Sequence, residues 1–83
     1  MKITLRMTGL AARYLPPGST GSLTDMVIPD GTTVGALMRQ LGLPGEDSYL
    51  VIVSDVAVPL AKRPSHRLVE GDMIAIVPPL KGG

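Results

Sequence analysis

One amphipathic helical pattern constrains the fold more than any other feature of the chain. It lies in "TTVGALMRQLGL", residues 32–43, where apolar side chains follow the i, i+3, i+4, i+7 spacing of one helix face: Val34, Leu37, Met38 and Leu41. Thr32 or Thr33 can cap its start, and Gly42 stands where helices often end in the left-handed conformation. A chain of 83 residues with one such helix has to bury the apolar stripe against a sheet.

The other periodic segments predict strands, at residues 2–8, 23–28, 49–53, 56–60 and 73–77. The first alternates polar and apolar side chains, whereas the β-branched third, "YLVIV", is expected to be covered on both faces. Pro59 places the fourth, a short return strand after a Ser54-Asp55 turn, at a sheet edge. Residues 10–14 are expected to form one helical turn, and "PDG" and "EGD" are turn sequences.

The predicted order is therefore β, β, α, β, short β, β, an α+β arrangement. If the first and last strands lie side by side, the helix can cross one face and cover Ile3, Leu5, Ile74 and Ile76. We expect a β-grasp, or ubiquitin-like, fold with a mixed sheet of four to five strands. Residues 1–77 would form the domain and residues 78–83 an extended tail.

Composition argues against several classes of function. The chain has no cysteine and one histidine, so we expect no disulfide, no thiol nucleophile and no metal site. A net charge of +1 and two aromatic residues argue against nucleic-acid binding. No apolar run reaches the roughly 20 residues of a membrane span, and the N-terminus lacks the apolar block of a signal peptide. A cytoplasmic protein without membrane contact is expected.

The chain ends in "IVPPLKGG". Pro78 and Pro79 cannot donate to a strand ladder, so the sheet should release the chain at Val77, and the last six residues can extend about 20 Å. Two terminal glycines can enter a channel too narrow for any Cβ atom. The terminal carboxylate is then the reactive group, and the protein is itself the substrate of a partner enzyme.

These features together resemble the ubiquitin-like sulfur carriers of the MoaD/ThiS family. The resemblance rests on "IPDGTTVGALMRQLGL", "LVIVSD", "LVEGDMIAIVPP" and the terminal "GG", in the family's order and spacing. A bare Gly-Gly end is weak evidence, but the preceding "EGD-x-I-x-I-x-PP" makes the pattern specific. Ser54-Asp55 stands where many members have Asn-Gly, a departure that bears on the pathway and not on the family.

The resemblance implies a mechanism without a catalytic side chain in this chain. An adenylating, ubiquitin-activating-like enzyme would use ATP to activate the Gly83 carboxylate, and a sulfurtransferase would supply the sulfur of a thiocarboxylate. Gly82 would let the tip enter the channel, while Leu80 and Lys81 would guide the tail. No cofactor would be bound. The Pro78-Pro79 pair resembles carriers that serve a molybdopterin synthase large subunit more than those that serve a thiazole synthase.

Other functions remain open at this point. The carrier could serve thiamine thiazole synthesis, or Gly83 could be conjugated to lysine as in a ubiquitin-like modifier. A β-grasp interaction module without chemistry of its own is a further alternative, although it gives no reason for the tail. A Gly-Gly end can also be a frayed terminus.

The last strand, "MIAIV", is apolar on both faces. If Ile74 and Ile76 face the helix, then Met73, Ala75 and Val77 face away from it. We expect this open face, bordered by Thr4 and Arg6, to dock a partner protein. By contrast, the basic loop "AKRPSHR" is expected to be a solvated surface, with Arg63, His66 and Arg67 in water.

Overall fold

The computed structural model describes residues 1–7, 23–42 and 48–78, which form a five-stranded sheet with one α-helix packed across it. The elements are β1 Lys2–Met7, β2 Leu23–Val27, α1 Val34–Leu41, β3 Leu50–Val53, β4 Val56–Ala57, a 3-10 turn Leu60–Lys62, and β5 Met73–Val77. Thr8 and the helical turn predicted at residues 10–14 lie outside the described residues.

The sheet has the strand order β2-β1-β5-β3-β4. The central pair, β1 and β5, is parallel, with Leu5 opposite Ile74, and the other three pairs are antiparallel. The first and last strands therefore lie side by side in the middle of the sheet. This mixed five-stranded sheet with a single α-helix confirms the predicted α+β, β-grasp fold.

Both ends of α1 have the capping geometry that the sequence indicated. The Thr33 hydroxyl accepts a hydrogen bond from the Ala36 N–H at 3.2 Å, which satisfies one of the amides that a helix start leaves unpaired. At the other end Gly42 has φ 71°, and its N–H donates to the Arg39 carbonyl. Glycine adopts this left-handed conformation without the steric penalty of a Cβ atom.

The core lies between α1 and one face of the sheet. Its members are buried apolar side chains from the helix, from three strands and from the connecting segments: Ile3, Leu5, Met7, Ile28, Val34, Leu37, Met38, Val51, Val53, Val58, Leu68, Ile74 and Ile76. The predicted helix stripe and its four predicted partners all belong to this cluster, with Leu41 partly buried at its margin. Burial of apolar surface of this kind is the main stabilising contribution to a small domain.

The segment that follows the 3-10 turn holds the first turn of α1. The Val34 N–H donates to the His66 carbonyl and the Gly35 N–H to the Arg63 carbonyl, both at 2.9 Å. A Cβ atom on Gly35 would lie 3.4 Å from that Arg63 oxygen and from Pro64 Cα. The loop thus packs directly against the start of α1 and binds two of the amides that a helix start leaves unpaired.

Two strand predictions were wrong in detail. Strand β3 begins at Leu50, and Leu50 is 51% exposed, so β3 is covered on one face only. The return strand β4 has two residues, Val56–Ala57, and the chain then turns at Pro59 into the 3-10 turn, where the Lys62 N–H donates to the Pro59 carbonyl.

Arg63 was also predicted wrongly. It is 6% exposed, and its Nη2 group donates to the Tyr49 carbonyl. The pairing of β3 with the segment that contains β4 ends at Val51, whose carbonyl accepts the Val58 N–H at 2.8 Å. Carbonyl directions alternate along a strand, so the Tyr49 carbonyl points to the same side as the Val51 carbonyl, at a level where β4 has already ended. The guanidinium thus satisfies a carbonyl that a longer β4 would have bound.

We predict that Arg63→Met lowers the free energy of unfolding by about 1 to 3 kcal/mol, because the Tyr49 carbonyl loses a charged donor in a buried position. Arg67→Met is the matched control, since Arg67 is exposed and its loss should change stability by less than about 0.5 kcal/mol. Urea unfolding of both variants measures the difference. Equal stabilities would contradict a structural role for the buried guanidinium.

Candidate functional site

The face of the sheet opposite α1 carries the sequence-predicted docking residues. Alternation along the strands places on this face the side chains that the core does not use: Lys2, Thr4, Arg6, Leu23, Asp25, Val27, Leu50, Ile52, Met73, Ala75 and Val77. We call this set the open face. In the described part of the chain, α1 lies on the other side of the sheet.

The centre of the open face is apolar. Ala75 on β5 lies between Arg6 on β1 and Ile52 on β3, and Val77 lies opposite Leu50. Met73 is 49% exposed and Leu50 51% exposed. These two side chains lie at opposite ends of the β3–β5 pair, with Ile52, Ala75 and Val77 between them, and a row of apolar side chains of this kind is typical of a surface that binds another protein.

Leu50 and Ile52 were not predicted to belong to this surface. The apolar run "LVIV" does not itself tell which residues face the core. The structure does, because Val51 and Val53 are buried and face α1. Since side chains alternate along a strand, Leu50 and Ile52 must face away from α1. The Ser54-Asp55 turn fixes the register of the hairpin but not which of its faces is buried, so it did not identify these two residues.

Six residues line a shallow concavity on the open face: Arg6, Ile52, Ser54, Asp55, Met73 and Ala75. Ser54 and Asp55 form the β3–β4 turn with φ 46° and 71°, the left-handed values of a two-residue hairpin turn. The Ser54 hydroxyl donates to the Asp72 carboxylate at 2.9 Å, and the same carboxylate accepts the Val69 N–H. These bonds tie the two turns at this end of the sheet together.

The charges on the open face divide into a paired and an unpaired set. Lys2 Nζ lies 3.5 Å from the Asp25 carboxylate, which also accepts a hydrogen bond from the Thr4 hydroxyl. The side chains of Arg6 and Asp55, in contrast, form no hydrogen bond or ion pair with any residue in the described ranges. Among the described residues, a cation and an anion without a partner thus flank the apolar centre.

The chain leaves the sheet at the edge of this surface. The Ser54 N–H donates to the Met73 carbonyl at 2.8 Å. In an antiparallel ladder every second pair of opposite residues is hydrogen-bonded, so Leu50 and Val77 form the last such pair on β5. Pro78, half-buried, follows directly. The remaining predicted site residues, Pro79, Leu80, Lys81, Gly82 and Gly83, lie outside the described residues.

The structure therefore brings Arg6, Met73, Ala75 and Val77 together on one surface, as the sequence predicted, and places the root of the tail at its margin. The model of the ThiS family matches residues 19–83. The chain belongs to the ThiS family. Members of this family are small ubiquitin-like sulfur carriers.

A solved structure shares the fold. The chain is similar to the crystal structure of SAMP1 from Haloferax volcanii, with a TM-score of 0.71, 18% sequence identity and complete coverage of both chains. At this identity the likeness concerns the fold. No curated protein matches the chain.

Family membership bears out the coarser part of the functional prediction. ThiS-family carriers are generally non-catalytic, and they work with activating enzymes and sulfur-transfer partners. Within the described residues, the helix is too short to span a lipid bilayer.

Proposed function

We propose that this chain is a sulfur carrier whose Gly83 carboxylate is adenylated and converted to a thiocarboxylate, which donates sulfur in molybdopterin biosynthesis. The observation that carries the carrier role is the ThiS-family match, which runs through the Gly-Gly end, and the choice of the molybdopterin pathway rests on the Pro78-Pro79 pair. The geometry supports it, because ordered pairing continues to Val77 and the two prolines that follow leave the sheet no further donor.

The chemistry begins with a poor electrophile. The negative charge of a carboxylate repels nucleophiles, so a Gly83 oxygen first attacks the α-phosphate of ATP on the activating enzyme and pyrophosphate leaves. Sulfide, HS⁻, supplied by a sulfurtransferase then attacks the acyl carbon; the bond from this carbon to the AMP oxygen breaks, AMP leaves, and loss of the sulfur-bound proton gives the thiocarboxylate. Sulfur is carried on the terminal carbon, which is consistent with a chain that has no cysteine. ATP belongs to the partner enzyme and is not a cofactor of this chain.

In this scheme the chain acts as a co-substrate and not as an enzyme. Gly82 and Gly83 enter the narrow channel of the partner, and Leu80 and Lys81 guide the tail. Pro78 and Pro79 restrict the exit of the tail, which reduces the entropy lost when the tip is bound. A preset exit suits a carrier that remains docked as the small subunit of a synthase and presents its tip repeatedly.

The open face provides the docking surface in this proposal. Met73, Ala75 and Val77, with Leu50 beside Val77, offer apolar contact, and Arg6 offers a cation for a carboxylate of the partner. Val77 is both part of this surface and the last paired residue before the tail. A partner seated on the open face therefore has the root of the tail at the edge of its contact area.

We predict that deletion of Gly82 and Gly83 leaves the melting temperature unchanged and abolishes adenylation, because the described core makes no use of the two residues. The measurements are a thermal melt and ATP–pyrophosphate exchange with the activating enzyme. Gln40→Ala, on the exposed side of α1, is the full-length control and should be adenylated normally. A truncated chain that still supports exchange would refute the role of the terminus.

We predict that Ala75→Lys raises the KM of the activating enzyme for this chain at least about tenfold without changing kcat, because a second cation beside Arg6 disrupts the apolar centre; tenfold corresponds to about 1.4 kcal/mol. Gln40→Lys adds the same charge on the helix side and serves as the control. Both variants are first compared by thermal melt. An unchanged KM for folded Ala75→Lys would place docking elsewhere.

The pathway is tested with the thiocarboxylated protein itself. It is mixed with a molybdopterin synthase large subunit and its cyclic pterin phosphate, and separately with a thiazole synthase and its sugar substrate. We expect sulfur transfer in the first mixture. Product in the second alone would reassign the carrier to thiamine synthesis, and a lysine-linked conjugate in lysate without either product would identify a protein modifier.

A further inference from the structure

The two unpaired charges of the open face lie on opposite sides of its apolar centre. Arg6 is on β1, one strand to one side of β5, and Asp55 follows the end of β3, one strand to the other side. Neighbouring strands are about 4.8 Å apart, so β1 and β3 are roughly 10 Å apart across β5. Arg6 is level with Ile52, and Asp55 lies three residues further along the chain, roughly another 10 Å in the strand direction. Ile52, Met73 and Ala75 occupy the surface between them.

This arrangement is self-complementary. We consider a twofold axis that lies in the plane of the interface and passes midway between the two charges. Rotation about this axis exchanges the position of Arg6 with that of Asp55. Each cation of one copy then stands over the anion of the other, and the two apolar centres meet on the axis. Such an isologous contact uses the same surface twice and closes after two subunits.

We propose that the open face packs against the open face of a second copy, forming a C2 homodimer in which Arg6 of each copy pairs with Asp55 of the other. Charge complementarity favours a second copy as the occupant, because one surface supplies both members of the pair. The neighbouring Lys2 and Asp25 cannot serve in this way, since they already pair within the chain.

The dimer is weak. A stable interface buries about 800 Å² on each partner, whereas the apolar centre consists of a few side chains, two of them half-exposed at 49% and 51%. Exposed ion pairs add little to affinity, because solvent and salt screen them. We expect a dissociation constant on the order of 100 μM, so that the dimer forms at high local concentration and dissociates readily when a tighter partner binds.

Self-association would occupy the surface that the proposed carrier function assigns to its partners. This consequence rests on the proposed function, whereas the dimer itself does not. A resting dimer shields the apolar centre from water, and a partner enzyme has to displace the second copy before it can engage the tail. The two uses of the open face are therefore mutually exclusive.

The test uses two charge reversals and their mixture, measured by sedimentation of the full-length chain without enzyme or ATP. In Arg6→Glu alone, two anions face each other at each contact, and in Asp55→Lys alone, two cations do. We expect each variant to weaken association at least tenfold. In an equimolar mixture the two variants can form a heterodimer in which both contacts are again between opposite charges. Association in the mixture should therefore return to within about threefold of the parent.

The controls separate this pairing from general effects. Arg67→Glu makes the same charge change on the exposed loop beside α1 and should leave association unchanged. Asp55→Asn removes the charge but keeps a residue that tolerates the left-handed conformation at this turn, so it should weaken association without the strain that lysine brings. Thermal melts establish that each variant is folded.

A parent chain that remains monomeric up to about 1 mM, some ten times the expected dissociation constant, overturns the proposal. So does a mixture that associates no better than the single variants. Since these measurements involve no partner, either result leaves the proposed carrier function standing. Failure of ATP-dependent activation, conversely, would not affect the dimer.

Discussion

The parallel pairing of β1 with β5 is the interaction on which the rest of the structure depends. It joins the two ends of the sequence in the centre of the sheet, where Leu5 and Ile74 are completely buried opposite each other. Because β5 is central, its outer face becomes the middle of the open face, and the chain leaves the sheet after its last residue, Val77. One long-range contact thus sets the core, the open face and the point at which the chain leaves the sheet.

A second constraint acts at the short side of the sheet. Because β4 has two residues and the chain turns away at Pro59, the beginning of β3 has no strand neighbour on that side among the described residues. The loop that follows supplies one through the Arg63 guanidinium, and its carbonyls bind the first amides of α1. The loop therefore stands in for a longer strand and, at the same time, supplements the Thr33 cap of α1. A buried cation is tolerated here because it is hydrogen-bonded to an otherwise unsatisfied carbonyl.

Local patterns were sufficient for the features that depend on local geometry. The helix with its caps, the alternation of β1 and the turns that include Gly31 and Gly71 were all predictable from a few neighbouring residues. The exposure of Leu50 and the burial of Arg63 were not, because each depends on which strand lies beside β3 and where that strand ends. Both are consequences of register and strand length, and nothing in "LVIV" or "AKRPSHR" alone determines them.

The open face has to meet two opposing demands. Binding a partner requires exposed apolar side chains, yet the same side chains in water favour unspecific association. Charges placed at the centre would reduce that association but would also have to be desolvated on binding. In this chain the unpaired charges instead flank the centre, where they can remain partly hydrated while restricting which surfaces fit. An arrangement of this kind admits a partner with matching charges, or a second copy in one orientation, and disfavours other contacts.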